Sequence, residues 1–302
     1  MVQRTDDDTQ VVSRTALLER GMSDTQIRQL RERGELVSVL PGLYLPVDPA
    51  HRPDPASRHR ATLTVVIPHL AGEPVVSHVS AAIVHGLPFC HSEVPPLHVT
   101  RPDAAKSRRG AAVRLHKASL HPSEVVDLGG LAVTSAERTV VDCALSMPFD
   151  HAVVLADAAL RRGLVTRQSL QDQLSRLRRV PQSRQAAVVL AFADPRSAGP
   201  GESFSRVLLH KWGFPVPALA VPVSDVDGRA LGEFAFAFPD GRVLGEFVDR
   251  PEDDRVGPQE REIALWDVGW RLVRWSWPAL RSPEPWAERL RSVPAGPPSG
   301  RC

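Results

Sequence analysis

The apolar positions between Val11 and Val47 change their period in a set order. Ala16, Leu17 and Leu18 fall in a helix over Arg14 to Arg20 that Ser13 can cap. Gly21-Met22 then makes a turn, and Ser23 caps a second helix to about Arg33, with Ile27 and Leu30 spaced i and i+3 and Gly34 as its stop. Two short runs follow, Leu36 to Leu40 and Leu43 to Val47, joined at Pro41-Gly42. Helix, tight turn, helix and hairpin is the order of a winged helix-turn-helix, expected over 11–47.

The stretch Pro46 to Arg60 is rich in Pro, His and Arg and reads as a linker or surface loop. From 61 to 192 apolar strands alternate with helices, as in an α/β domain. Strands are expected at Leu97 to Thr100, Ala112 to Leu115 and Leu131 to Val133. Helices are expected at Ser77 to His85, Ser135 to Leu145, Asp150 to Arg162 and Gln185 to Phe192. A third region, 200–282, predicts a helix over Glu202 to Trp212 and strands at Ala218 to Ser224, Arg229 to Phe238 and Arg242 to Val248. A helix at Pro258 to Val268 and a Trp-rich strand at Trp270 to Trp277 complete it. The segment 283–302, rich in Pro, Ser and Gly, is expected to be a flexible tail. The pattern as a whole predicts a mixed α+β multidomain fold.

Composition narrows the function classes. With 302 residues, 42% of them hydrophobic, the chain can bury a sizeable core. It holds no run of eighteen uncharged apolar residues, and MVQRTDDDTQ lacks the apolar stretch of a signal peptide, so a cytoplasmic protein without membrane contacts is expected. Cys90, Cys143 and Cys302 are too scattered for a disulfide framework or a structural zinc site. The net charge of +2 conceals segregation. Six basic residues against Asp103 occupy 101–117, and seven arginines against Asp172 occupy 161–184, whereas 232–262 carries nine acids against four arginines. Basic runs of this kind can follow a phosphate backbone through counterion release, and Arg108, Arg109, Arg178 and Arg179 are the candidates.

His78, His85 and His98 lie near serines and raise the question of a metal. The seven-residue step from His78 to His85 places them two helical turns apart, too far for one ion without a third ligand, so structural histidines are expected. In TSAERTVVDCA, Arg138 and Asp142 stand at i and i+4 and predict an ion pair with a structural role.

Three phrases together resemble one family. SRTALLERGMSDTQIRQLRERGELVSVLPGLY resembles the N-terminal domain of AbiEi-type antitoxins of type IV toxin-antitoxin systems. VVSHVSAAIVHGLP, VTSAERTVVDCA and DAALRRGLVT resemble the middle region of actinobacterial proteins that carry that domain. GPGESFSRVLLHKWGFPVP, GEFAFAFPDGRVLGEF and REIALWDVGWRLVRW resemble a closing domain related to the very-short-patch repair endonuclease, of restriction-endonuclease-like fold. The resemblance implies binding to double-stranded DNA and autoregulation of an operon, with a cognate toxin or regulator as a possible partner. The residues placed to read bases are Thr25, Gln26, Arg28 and Gln29, since Gln suits adenine and Arg suits guanine in a major groove. The wing departs from the pattern, carrying Ser38, Leu40 and Pro41 where relatives are basic.

The nuclease family pattern is a helix Glu, then Val-Asp on one strand and Glu-Tyr-Asp-Gly on the next, which together hold a divalent cation. Glu202 and Glu246 match its glutamates, but the two aspartates fall on Ala235 and Val248. Glu233 is displaced by about 6.6 Å along its strand at a rise of 3.3 Å per residue, and Asp249 belongs to the opposite face. The expectation is therefore a degenerate, non-enzymatic nuclease-like domain without cofactor, in a DNA-binding regulator. Two alternatives stand beside it: an active Mg²⁺-dependent endonuclease, and a protein-interaction module whose acidic C-terminal region meets a basic partner.

Overall fold

The computed structural model describes residues 12–47, 54–89, 95–110, 112–177, 180–238, 241–249, 258–281 and 284–291. Arg178, Arg179, Cys90 and Cys302 lie outside these residues. The fold is mixed α and β and divides into two compact units, 1–146 and 147–302. Among the described residues no helix is long and apolar enough to cross a membrane.

The first unit opens with β1 (Val12–Ser13), α1 (Arg14–Glu19), α2 (Asp24–Glu32), β2 (Leu36–Leu40) and β3 (Leu43–Pro46). Ser13 and Ser23 cap the two helices as their positions require, and the strands pair antiparallel in the order β1-β3-β2. Val12, Leu17, Ile27, Leu36 and Tyr44 form the core of this piece. It is not a self-contained domain. Tyr44 and Leu45 point to opposite faces of β3, and Leu45 belongs to a second core with Leu63, Val66, Val76, Ala81, Leu97 and Val133.

The expected linker Pro46 to Arg60 is corrected by α3 (Pro55–Val66), which starts at an Asp54 cap followed by Pro55 in the first turn. Its buried face is His59, Thr62, Leu63 and Val66 at i, i+3, i+4 and i+7. The helical period was hidden because two of those four residues are polar. The unit continues with β4 (Val75–Val76), α4 (His78–Val84), β5 (Leu97–Thr100), β6 (Arg108–Arg109), β7 (Val113–His116), β8 (Val125–Leu128), β9 (Leu131–Thr134) and α5 (Ala136–Ser146). The strands form one mixed sheet in the order β6-β7-β5-β4-β9-β8, with β7 and β5 parallel and β6 at an edge. Arg138 on α5 is buried between Glu124 (3.2 Å) and Asp142 (2.9 Å).

The expected middle domain, 61–192, is split at 146/147: α5 packs on α4, whereas α6 (Phe149–Arg161) packs on later helices. These are α8 (Ser183–Phe192) and α9 (Pro200–Lys211), while α7 (Arg167–Arg176) packs on α8. A buried ion pair ties three segments of this unit. Arg206 of α9 donates to Asp157 of α6 at 2.7 Å and to the Phe192 carbonyl at the end of α8, while the Asp194 N–H donates to the other Asp157 oxygen. A four-stranded sheet follows in the order β10 (Ala218–Ser224), β11 (Ala230–Phe238), β12 (Val243–Phe247), β13 (Arg271–Trp275), the last two parallel, with α10 (Pro258–Asp267) between them in sequence. Phe234, Phe236, Leu244 and Trp275 are buried. Gly201 allows α9 to approach this sheet, since a Cβ there would overlap the Phe247 ring.

The expected strand Trp270 to Trp277 ends at Trp275 and gives way to α11 (Trp277–Arg281). The expected tail, 283–302, is corrected over 284–291, and 283 and 292–302 lie outside the described residues. α12 (Glu284–Arg291) carries Trp286 and Leu290, both buried in the core of Leu209, Phe236, Val273 and Trp275.

Candidate nucleic-acid interface, acidic remnants and a histidine cluster

On α2 the burial pattern separates two roles. Ile27 is buried, while Thr25, Gln26, Arg28 and Gln29 are exposed on the outer face. Gln26 is already engaged, because its side chain accepts from the Ser23 N–H at 2.7 Å and closes a capping box. It therefore serves the helix start, and the side chains left to reach a ligand are Thr25, Arg28 and Gln29. Asp24 is held by Arg14 in a two-bond ion pair at 2.9 and 2.6 Å.

The basic runs divide in the same way. Arg108 and Arg109 form the exposed edge strand β6, where Arg109 sits directly opposite Arg114 with no acid in the pair. Like charges across a strand pair destabilise it, so this edge favours an anion. In the 161–184 run, Arg161 donates to the Ser197 carbonyl and Arg167 to the Ala193 carbonyl, which places two of its arginines in helix packing.

In the second unit Glu202 and Glu246 are each engaged by partners within the protein. Glu246, on β12, receives Arg274 from the neighbouring strand at 2.9 Å and lies 3.7 Å from Arg261 of α10; Arg274 also donates to Glu262. Two guanidinium groups thus occupy the charge that a cation would need. Glu202 accepts from the Ala198 N–H at 2.6 Å. Burial holds its pKa above the usual carboxylate value, Arg161 partly offsets this, and Glu233 and Glu246 add to the rise. Ala235 packs against the apolar cluster and Val248 donates its N–H to the Trp275 carbonyl. Asp249 accepts from the Trp277 indole at 2.7 Å.

Among the described residues, one group of three brings ligand-type atoms together: His78, His98 and His116, within 4.8 Å of one another. His85, which helical spacing places too far from His78 to share an ion, lies outside this group; its Nε2 meets the Thr134 carbonyl at 2.8 Å. His116 was not singled out from sequence. The available signal was strand parity, since LHVT and VRLH in parallel neighbours put two histidines on one face. All three rings are held neutral. Burial lowers His98 to about 3 and His116 to about 4, with help from Arg114 in both, and it lowers His78 strongly.

No protein-family model matches the chain. The uncharacterized proteins MT2308 and Rv2248 of Mycobacterium tuberculosis, from strains CDC 1551 / Oshkosh and ATCC 25618 / H37Rv, are each 25% identical to it over 258 residues. The alignment covers 83% of this chain and 89% of each relative. Among solved structures, the crystal structure of the RV2827C protein of M. tuberculosis aligns over 72% of this chain and 84% of that chain, at 18% identity and a TM-score of 0.38. Over most of its length the chain is thus similar to mycobacterial proteins.

Proposed function

We propose that the protein is an antitoxin-like, DNA-binding transcriptional regulator. In this reading the unit from β1 to β3 is a winged helix-turn-helix, and the C-terminal sheet is a restriction-endonuclease-like fold without a working metal centre. The observation that carries the reading is α2: Ile27 anchors it, and Thr25, Arg28 and Gln29 stand exposed, clear of the Ser23–Gln26 cap. These residue types fit base edges in a major groove, and the Arg108–Arg109–Arg114 edge supplies a sequence-independent phosphate contact. The resemblance of the N-terminal phrase to antitoxin domains supports the same assignment.

The double substitution Arg28→Ala with Gln29→Ala is expected to erase the preference for the protein's own promoter over random duplex, while leaving helix content intact. Competition binding at fixed salt measures this. Undiminished discrimination would remove α2 as the reading helix. By contrast, Gln26→Ala should act through the helix cap, at about 1 kcal/mol.

The same reading expects supercoiled DNA to survive incubation with the protein and Mg²⁺ or Mn²⁺. A metal centre generates hydroxide near neutral pH by convergent charge, and Glu246 already spends its charge on Arg274 and Arg261. Cutting that disappears in Glu246→Ala would establish the nuclease alternative instead.

A further inference from the structure

We propose that His78, His98 and His116 form a binding site for a divalent transition-metal ion of the zinc, cobalt or nickel type. The inference is independent of the DNA-binding reading, because it rests on how β4, β5, β7 and α4 are joined.

The sheet sets the first two ligands. In the parallel register His98 is opposite Arg114 and Thr100 is opposite His116, so period two places both histidines on one face while Leu97 joins the apolar core on the other. Their facing nitrogens, His98 Nδ1 and His116 Nε2, are 3.1 Å apart. Two nitrogens sharing a tetrahedral zinc at bonds of about 2.0–2.1 Å would lie about 3.3 Å apart, so this pair already has the required spacing.

The third ligand comes from the start of α4. His78 adopts φ +51°, a left-handed conformation that costs a non-glycine residue on the order of 1 kcal/mol or more. That backbone aims its ring at the sheet face, where it stacks on His116 with centroids 3.7 Å apart and planes 17° from parallel. Lone pairs lie in the ring plane, so a shared ion requires the His78 ring to turn out of the stack. A network holds the surroundings. The Ser77 hydroxyl accepts from Thr100 at 2.8 Å and meets His78 Nδ1 at 3.0 Å; the Ser80 hydroxyl accepts from the His98 N–H at 2.7 Å and meets the buried His59 Nε2 at 2.8 Å.

The donor set selects the class of ion. Mg²⁺ and Ca²⁺ require oxygen, whereas a set of imidazoles without carboxylates suits zinc and its neighbours, and three protein ligands leave a fourth position for another group. Arg114 shares the face of His116, and Arg109 lies opposite Arg114. Their charge opposes a bare dication and favours an anion, such as hydroxide or phosphate, as the fourth ligand.

The test uses tag-free full-length protein titrated with CoCl₂ and followed by visible d–d absorption. The wild type is expected to saturate with a single equivalent. His78→Asn, chosen because Asn tolerates positive φ, and His116→Gln are each expected to weaken binding about 10–100-fold or more, while exposed His69→Ala leaves it unchanged. X-ray absorption of the cobalt form counts imidazole ligands in the wild type, whatever the variants do. Absence of saturable bands, fewer than three imidazoles, or full-affinity binding in both folded variants would overturn the proposal.

Discussion

Arg138→Ala is expected to destabilise the first unit by about 3–5 kcal/mol, because it leaves two carboxylates buried without their cation. The side chains of Arg138, Glu124 and Asp142 are 4%, 6% and 4% exposed, and the guanidinium also donates to the Ser119 carbonyl. Burial already lifts Asp142 to about 6, with Arg138 opposing the rise. The native state therefore binds more protons than the unfolded one between about pH 4 and 6. Through that window Asp142 contributes less stability as pH rises. Removing Arg138 pushes its folded pKa further up and extends the window, so the deficit of the variant should be largest near pH 8 and shrink toward pH 5. Chemical denaturation followed by circular dichroism at the two pH values measures this. A deficit that is equal at both, or below about 1 kcal/mol, would mean that the carboxylates find other partners.

Trp286→Ala is expected to cost about 3–5 kcal/mol, the range for emptying a large aromatic site in a core. Trp286 is 2% exposed and stacks on Trp275 at 4.6 Å with the planes 13° apart. Its indole donates to the Ala279 carbonyl at 3.0 Å, and Trp212 lies 5.2 Å away on another side. Urea denaturation with a dichroism readout provides the number. A variant within about 0.5 kcal/mol of wild type would show that α12 adds nothing to the core of Leu209, Phe236, Val273 and Trp275.

The elements that could be read from sequence were those whose period was not masked by polar residues facing inward. Ser13 and Ser23 as caps, Gly34 as a stop, and the runs at 97–100, 131–134, 218–224 and 243–247 carry local signals that packing does not override. α3 was missed because His59 and Thr62 form half of its buried face. α12 was missed because two apolar anchors, Trp286 and Leu290, stand within a stretch rich in Pro, Arg and Glu. The same limit applies to the sites. Exposure of Thr25, Arg28 and Gln29 follows from helical geometry, but the engagement of Gln26 in the cap depends on side-chain rotation that spacing does not specify. The histidine cluster needs the register between β5 and β7, a contact across a loop that no local period encodes.

The Asp157–Arg206 pair has a consequence for how the second unit can be taken apart. Arg206 lies in the α9 segment that leads into the four-stranded sheet, whereas its partners, Asp157, the Phe192 carbonyl and the Ser197 hydroxyl, all precede residue 200. An expression fragment cut at residue 200 would carry a guanidinium built for three partners and supply none of them. The helices α6 and α8 then behave as a cradle for α9, which packs on β12, so amide protons of α9 and β12 should exchange with those of α6 in a single opening event. Any protein that borrows this sheet by recombination must inherit the helices in front of it, with the crossover near residue 147.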